Sequence, residues 1–152
     1  MNETKQWICD KCGRKIENVN EGWVEWLIPS TDNIPERHNF GIRIVHSDTC
    51  IYTDCECDNH KAIPADASLK DFTGADGLMD LLRFISDDEF KDKEEVLEVI
   101  KRIHIPGYEE ARKHIDAAID DGVYEPNTKE NYCSQHDIEN ILNFAAKNKA
   151  IL

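Results

Sequence analysis

Two short pairs of potential metal ligands, far apart in the sequence, constrain the fold of this chain more than any other feature. Cys9 and Cys12 are separated by two residues and followed by Gly13, and His46 and Cys50 form a second pair well downstream. Thiolate and imidazole groups are typical ligands of tetrahedral zinc, and an ion bound by both pairs would join two distant segments of backbone. The sequence therefore predicts a structural Zn²⁺ site formed by Cys9, Cys12, His46 and Cys50.

The spacing within each pair supports a shared ion. A Cys-x2-Cys pair binds one ion only when the backbone turns back tightly, and Gly13 favours such a turn because glycine adopts positive φ at little cost. His46 and Cys50 are four positions apart, a spacing that places two side chains on the same face of a helical turn. We therefore expect His46 at the end of a strand and Cys50 in a helical turn that follows directly.

The residues between the two pairs predict a β-hairpin. Residues 23–28, with the sequence WVEWLI, are aromatic and β-branched and predict a strand that is covered on both faces. Residues 29–35 contain several turn formers and predict an exposed loop. Residues 40–46 predict the returning strand, with His46 at the end of its apolar stripe.

The order of a Cys-x2-Cys-Gly knuckle, a hairpin and a His-x3-Cys pair resembles the treble-clef group of zinc fingers over roughly residues 7–60. The matching residues are Cys9, Cys12, His46 and Cys50. The resemblance implies that the zinc is structural and that the scaffold presents a binding surface. Members of this group bind nucleic acid or proteins, and some carry a nuclease site, so the resemblance leaves the function open.

Three more potential ligands, Cys55, Cys57 and His60, follow the second pair. They could be free thiols and a free imidazole in a loop, one of them could replace Cys50 as the fourth ligand, or they could hold a second ion. Cys-x-Cys is an awkward spacing for one tetrahedral ion, and a second site would still need a fourth donor. These three interpretations stay open.

The hydrophobic pattern becomes helical in the second half of the chain. Apolar stripes predict helices over residues 76–85, 94–103 and 108–121, and Ser134 with Asp137 predicts a capping box that begins a last helix. Residues 61–75 predict the joint between the two halves. We therefore expect an α+β fold with a zinc-binding β-hairpin domain at residues 1–65 and an all-helical domain at residues 66–152.

Catalytic motifs are not visible in the sequence. It contains no Walker loop, no Gly-x-Ser-x-Gly and no His-Glu-x-x-His. Cys133 and His136 are three positions apart, a spacing that arises easily by chance. A treble-clef nuclease would use histidines near the hairpin, and the candidates are His38, His46 and His60, of which His46 is already assigned to zinc. We therefore expect a protein without enzymatic activity.

The charge of the chain indicates the class of its partner. With 18 Lys and Arg against 31 Asp and Glu, the formal net charge is −13. Such a charge repels phosphate backbones and favours a basic protein surface, or it serves solubility alone. Lys5, Lys11, Arg14 and Lys15 nevertheless cluster around the knuckle. The leading prediction is a zinc-stabilised module that binds a basic protein; a nucleic-acid-binding zinc finger and a metal-dependent nuclease-like hydrolase are the alternatives.

The sequence also bears on the compartment. No apolar run approaches the roughly 20 residues that a membrane helix requires, and the first residues lack the apolar core of a signal peptide. We therefore expect a cytoplasmic protein with no membrane partner. Six cysteines in that compartment favour metal binding over disulfides.

Overall fold

The computed structural model of this protein describes residues 5–30, 38–126 and 129–151, and the chain forms two compact units. The first unit extends to His104 and combines antiparallel strands with helices, whereas the second begins at Ile105 and is helical. The predicted mixture of α and β structure is therefore confirmed. Within the described ranges, no helix is both long enough and apolar enough to cross a bilayer.

The strands of the first unit form two small antiparallel sheets. A small hairpin, whose two strands are each two residues long, frames the knuckle. It consists of β1 (Trp7–Ile8) and β2 (Lys15–Ile16). The larger sheet consists of β3 (Gly22–Pro29), β4 (Phe40–His46) and β5 (Ala62–Ser68), in the order β4-β3-β5. Most of the loop predicted between β3 and β4 lies outside the described residues.

The helices of the first unit follow β4 and β5 in the chain. They are α1 (Asp54–His60), α2 (Gly74–Ser86) and α3 (Lys93–His104). Short 3-10 segments lie at Val19–Glu21 and Leu69–Phe72. The predicted helices in this part of the chain thus correspond to α2 and α3, while α1 is an element that the sequence analysis does not predict.

The central strand β3 is covered on both faces, as its apolar sequence predicts. On one face Trp26 packs edge-on against Phe72, Phe84 and Phe90, with ring centroids 6.4, 5.5 and 6.2 Å apart. On the other face Leu27 is buried in a cluster with residues of α1 and β5. Each aromatic contact of this kind adds roughly 0.5–1.5 kcal/mol beyond the burial of area. These contacts hold α2 against the sheet.

The first compact unit extends well beyond the predicted boundary after residue 65. Residues 61–75, interpreted as a joint, instead contain β5, which pairs with β3 along its whole length, and a 3-10 segment. The apolar stripes of α2 and α3 cover the Trp26 face of the sheet, so these helices belong to the unit that contains the hairpin. Only residues 105–152 form the separate helical unit.

The second unit consists of α4 (Tyr108–Ala111), a 3-10 segment (Arg112–His114), α5 (Ile115–Asp120) and α6 (Gln135–Ile151). The helix predicted over residues 108–121 is therefore present but interrupted. The hydrophobic core cluster of this unit contains Tyr108, Ala111, Ile115, Ala118, Tyr124, Ile138 and Ile141. The predicted capping box is also present: the Asp137 N–H donates to Ser134 Oγ, and the Ser134 N–H donates to Asp137 Oδ2, both at 3.1 Å.

Candidate metal centre

The four predicted ligands meet at one point in the first unit. The sulfur atoms of Cys9, Cys12 and Cys50 and a ring nitrogen of His46 all lie within 4.8 Å of one another. His46 Nδ1 lies 3.4 Å from Cys12 Sγ and 3.8 Å from Cys50 Sγ. In a tetrahedral zinc site, sulfur and nitrogen ligands are separated by about 3.6 Å. The four donors are therefore spaced as ligands of a single ion.

The ring of His46 is oriented for coordination through Nδ1. Its Nε2 lies 3.1 Å from the carbonyl oxygen of Lys15 in β2. Because a carbonyl can only accept a hydrogen bond, Nε2 carries the proton of the neutral ring, and Nδ1 keeps a free lone pair toward the sulfurs. Metal-bound histidines usually donate their other ring N–H to a carbonyl or carboxylate in this way. The small hairpin thus fixes the tautomer that a metal requires.

The turn between β1 and β2 presents Cys9 and Cys12. The Gly13 N–H donates to the Cys9 carbonyl and the Cys9 N–H donates to the Arg14 carbonyl, both at 2.9 Å. Gly13 has a φ of 75°, in the left-handed region that the Cys-x2-Cys-Gly pattern predicts. The N–H of His46 donates to Cys9 Sγ at 3.4 Å. These bonds close the knuckle and fix it against the end of β4.

Burial and local hydrogen bonds set the electrostatics of the three thiols. Burial acts to raise the pKa of Cys9, but the surrounding backbone N–H groups together outweigh it, so the pKa is lowered. The backbone N–H of Arg14, helped by its side chain, lowers the pKa of Cys12. Burial raises the pKa of Cys50, and the neighbouring sulfurs add to this effect. The chain alone therefore favours two of the thiolates, and a bound cation would favour all three.

Cys50 directly follows a three-residue turn and lies outside the helices of the described residues. Residues 47–49 form the turn after β4, and α1 begins only at Asp54. The Arg43 side chain of β4 donates from Nη2 to the Cys50 carbonyl at 3.3 Å. A contact from the sheet thus reaches the backbone of the fourth ligand.

A buried ion pair holds that arginine in place. Glu25 is 2% exposed, and its Oε1 accepts from both Nε and Nη2 of Arg43 at 2.8 Å. Its other oxygen accepts from the N–H of Tyr52 at 3.0 Å, and Arg43 stacks on the Tyr52 ring at 3.7 Å. No motif marks this pair in the sequence, although opposite charges at facing positions of two predicted strands are a usable signal.

The other candidate ligands have different surroundings. Cys55 is exposed, Cys57 is buried in an apolar cluster, and the His60 ring packs against Phe40 with centroids 5.8 Å apart. None of the three belongs to a metal-ligand group in the part of the chain that the structure describes. Of the interpretations left open, free side chains are the one that this geometry supports.

The remaining candidates for catalysis also have other neighbours. His38 Nε2 lies 3.3 Å from a carboxylate oxygen of Asp88. His136 Nε2 lies 3.4 Å from the amide nitrogen of Asn140, one turn further along α6. Burial raises the pKa of Tyr124, and a hydrogen bond to Cys133 adds to this effect. Each of these side chains therefore has a local partner that accounts for its position.

No protein-family model, curated protein or solved structure matches this chain. The function is therefore inferred from the geometry of the chain itself. That geometry shows a cluster of three cysteines and one histidine that could hold a metal ion.

Proposed function

We propose that this protein is a zinc-stabilised, non-enzymatic module that binds another protein. The observation that carries the proposal is the closed ligand set: three sulfurs converge on a His46 Nδ1 whose lone pair is freed by the bond from Nε2 to Lys15. Four protein ligands complete tetrahedral coordination and leave no position for water or substrate. Sites of this kind are structural, whereas catalytic zinc sites keep one position open.

The donor set also supports the identity of the ion. Thiolates select soft and borderline metals, and three thiolates with one imidazole at tetrahedral spacing suit zinc. The order of knuckle, hairpin, ligand pair and short helix supports a treble-clef-like arrangement, with Cys50 between β4 and α1. Metal-bound thiolates persist in a reducing compartment, which supports a cytoplasmic location.

The distribution of charge favours a protein partner over nucleic acid. Most basic groups around the knuckle are engaged within the molecule: Lys5 donates to a backbone carbonyl of α3, Lys11 pairs with Glu56 at 2.6 Å, and Arg14 bonds Cys12. A phosphate backbone would have to displace these contacts and meet a net charge of −13. A basic protein surface meets the same charge favourably.

Elemental analysis tests the metal. We expect one zinc ion per chain in the purified protein and none in Cys12→Ser, because serine is a poor zinc ligand. Folded protein that is purified gently and contains no zinc would contradict the proposal.

Affinity capture tests the class of partner. Immobilised zinc-loaded protein is exposed at low salt to cell extract and, separately, to defined DNA and RNA, with Cys12→Ser as the matched control. We expect the loaded protein alone to retain a basic protein, which is released as the salt concentration rises. Retention of pure nucleic acid would support the zinc-finger alternative instead, and metal-dependent cleavage of that nucleic acid would refute the absence of enzymatic activity.

A further inference from the structure

A buried arginine connects the knuckle to helix α3. Arg102 is 3% exposed, and its Nη1 donates to Asp10 Oδ2 at 2.7 Å while its Nη2 donates to the Ile8 carbonyl at 2.9 Å. Asp10 directly follows the ligand Cys9 within the knuckle. Burial of a guanidinium is costly unless it is paired and hydrogen-bonded. The position of this side chain is therefore coupled to the position of Asp10.

Asp10 in turn connects the knuckle to β4. Its carboxylate accepts from the Ile44 N–H, and its own N–H donates to the Ile44 carbonyl, both at 2.8 Å. Ile44 lies two positions before His46 on the same strand. A single carboxylate, whose charge Arg102 balances, thus holds the knuckle in register with the strand that carries the imidazole ligand.

We propose that Arg102 and Asp10 are positioning residues of the metal centre, which hold the knuckle against β4 and so control how long the ion is retained. The proposal rests on the zinc site proposed above. Neither side chain belongs to the ligand group, so the effect is on the orientation of Cys9 and Cys12. Loss of hydrogen-bond partners behind the ligands typically lowers metal affinity by about 10- to 100-fold.

A purely structural role for Arg102 predicts a different outcome. If the side chain only stabilised α3, metal retention would follow global stability, and any equally destabilising change in the same helix would accelerate release. Val96 provides the matched control, because it is a fully buried apolar residue of α3 with no polar group to offer the knuckle.

The rate of zinc release to a chromophoric chelator tests the proposal. We expect release to be about 10- to 100-fold faster in Arg102→Met and in Asp10→Ala than in the wild type. The double variant should be no faster than either single variant, because the two residues act as a unit. Arg102→Lys should recover part of the retention, and Val96→Ala, which destabilises the same helix without touching the knuckle, should accelerate release much less than Arg102→Met.

The absorption spectrum of the Co²⁺-substituted protein gives a second readout, which a change in helix stability alone does not alter. The visible ligand-field bands should change in Arg102→Met and stay unchanged in Val96→Ala, because only the first variant alters the orientation of the sulfurs. Unchanged bands in a folded Arg102→Met, or equal release from Arg102→Met and Val96→Ala, would refute the positioning role while the zinc site stands.

The controls separate this proposal from the one on which it rests. Zinc-free wild-type protein refutes the proposed function before any variant is compared. If neither Arg102→Met nor Asp10→Ala folds, Asp10→Asn supplies the comparison, because the amide oxygen can still accept from the Ile44 N–H but carries no charge to hold Arg102.

Discussion

At the scale of single residues, two arginines with little solvent exposure link the ligand-bearing segments to the rest of the first unit. Arg43 pairs with Glu25 and bonds the backbone of Cys50, and Arg102 pairs with Asp10 inside the knuckle. Arginine suits such positions because its planar guanidinium can bond a carboxylate and a carbonyl at the same time. The two arginines therefore stabilise the fold and also help to fix the geometry of the ligands.

Replacement of Arg43 by methionine should lower the free energy of unfolding by about 3–5 kcal/mol, because the Glu25 carboxylate would stay buried without a counter-charge. Urea denaturation of the zinc-loaded protein measures the change. The double variant Glu25→Gln/Arg43→Met should lower the free energy of unfolding less than Arg43→Met alone. The neutral amide of the glutamine can still accept from the Tyr52 N–H and needs no counter-charge.

Arg83 provides the matched control for this prediction. It is exposed and pairs with Asp87 and Glu89 on the surface, so Arg83→Met should lower the free energy of unfolding by no more than about 1 kcal/mol. An equal loss of unfolding free energy in the two methionine variants would show that the buried pair contributes no more to stability than a surface pair.

Gly13 tests the knuckle itself. A Cβ at this position would meet no atom within 4 Å, so the cost of Gly13→Ala is the strain of positive φ alone, roughly 1–2 kcal/mol. Gly13→Asn should cost less, because asparagine enters the left-handed region more readily. Thermal unfolding of both zinc-loaded variants gives the comparison, and an equal or larger cost for asparagine would contradict the assigned cause.

At the scale of elements, the sequence predicts those elements whose own residues define them. The strand expected over residues 40–46 has these bounds as β4, and the last helix begins at the predicted capping box. β5 contains Pro64 and several exposed positions, so only its pairing with β3 identifies it as a strand. Helix α1 is short and rich in acidic residues, and little apolar periodicity marks it.

The candidate ligands could be predicted because coordination depends on side-chain type and local spacing. The residues behind them could not, since Asp10 and Arg102 stand in different elements at opposite ends of the first unit's sequence. The contact from Arg43 to the Cys50 carbonyl could not be predicted either, because it depends on the tertiary structure.

The capping box of α6 should contribute measurably to the second unit. Ser134→Ala removes the acceptor of the Asp137 N–H and should cost about 1 kcal/mol. Ser86→Ala is the matched control, because Ser86 lies at the C-terminal end of α2, where a serine cannot act as an N-cap. Hydrogen exchange of the first turn of α6 should accelerate only in Ser134→Ala; unchanged exchange there would show that the cap does not stabilise this helix.

At the scale of the molecule, the knuckle also closes one edge of the larger sheet. β4 is an edge strand, and an exposed edge can pair with another chain. Asp10 bonds both the N–H and the carbonyl of Ile44, and Cys9 Sγ accepts the next outward N–H, that of His46. The opposite edge strand, β5, contains Pro64, which has no N–H to donate. The knuckle thus supplies half of the ligand set and also covers backbone that would otherwise be available for pairing.

Removal of the proposed zinc should therefore unfold the whole first unit and not the hairpin segment alone. Structural zinc contributes about 10–16 kcal/mol in zinc-finger peptides, as much as the whole stability of a typical domain. The knuckle, the sheet, α2 and α3 share one core, to which Trp7 and Cys9 belong. We expect hydrogen exchange after chelation to show joint loss of protection from the knuckle to α3, together with concentration-dependent association, because the strand-forming segments become exposed. Residues 105–149 should keep their protection, because their buried side chains form a core of their own. If α2 and α3 stayed protected while the knuckle exchanged freely, the helices would be shown to fold without the metal, and the prediction of joint unfolding would be wrong.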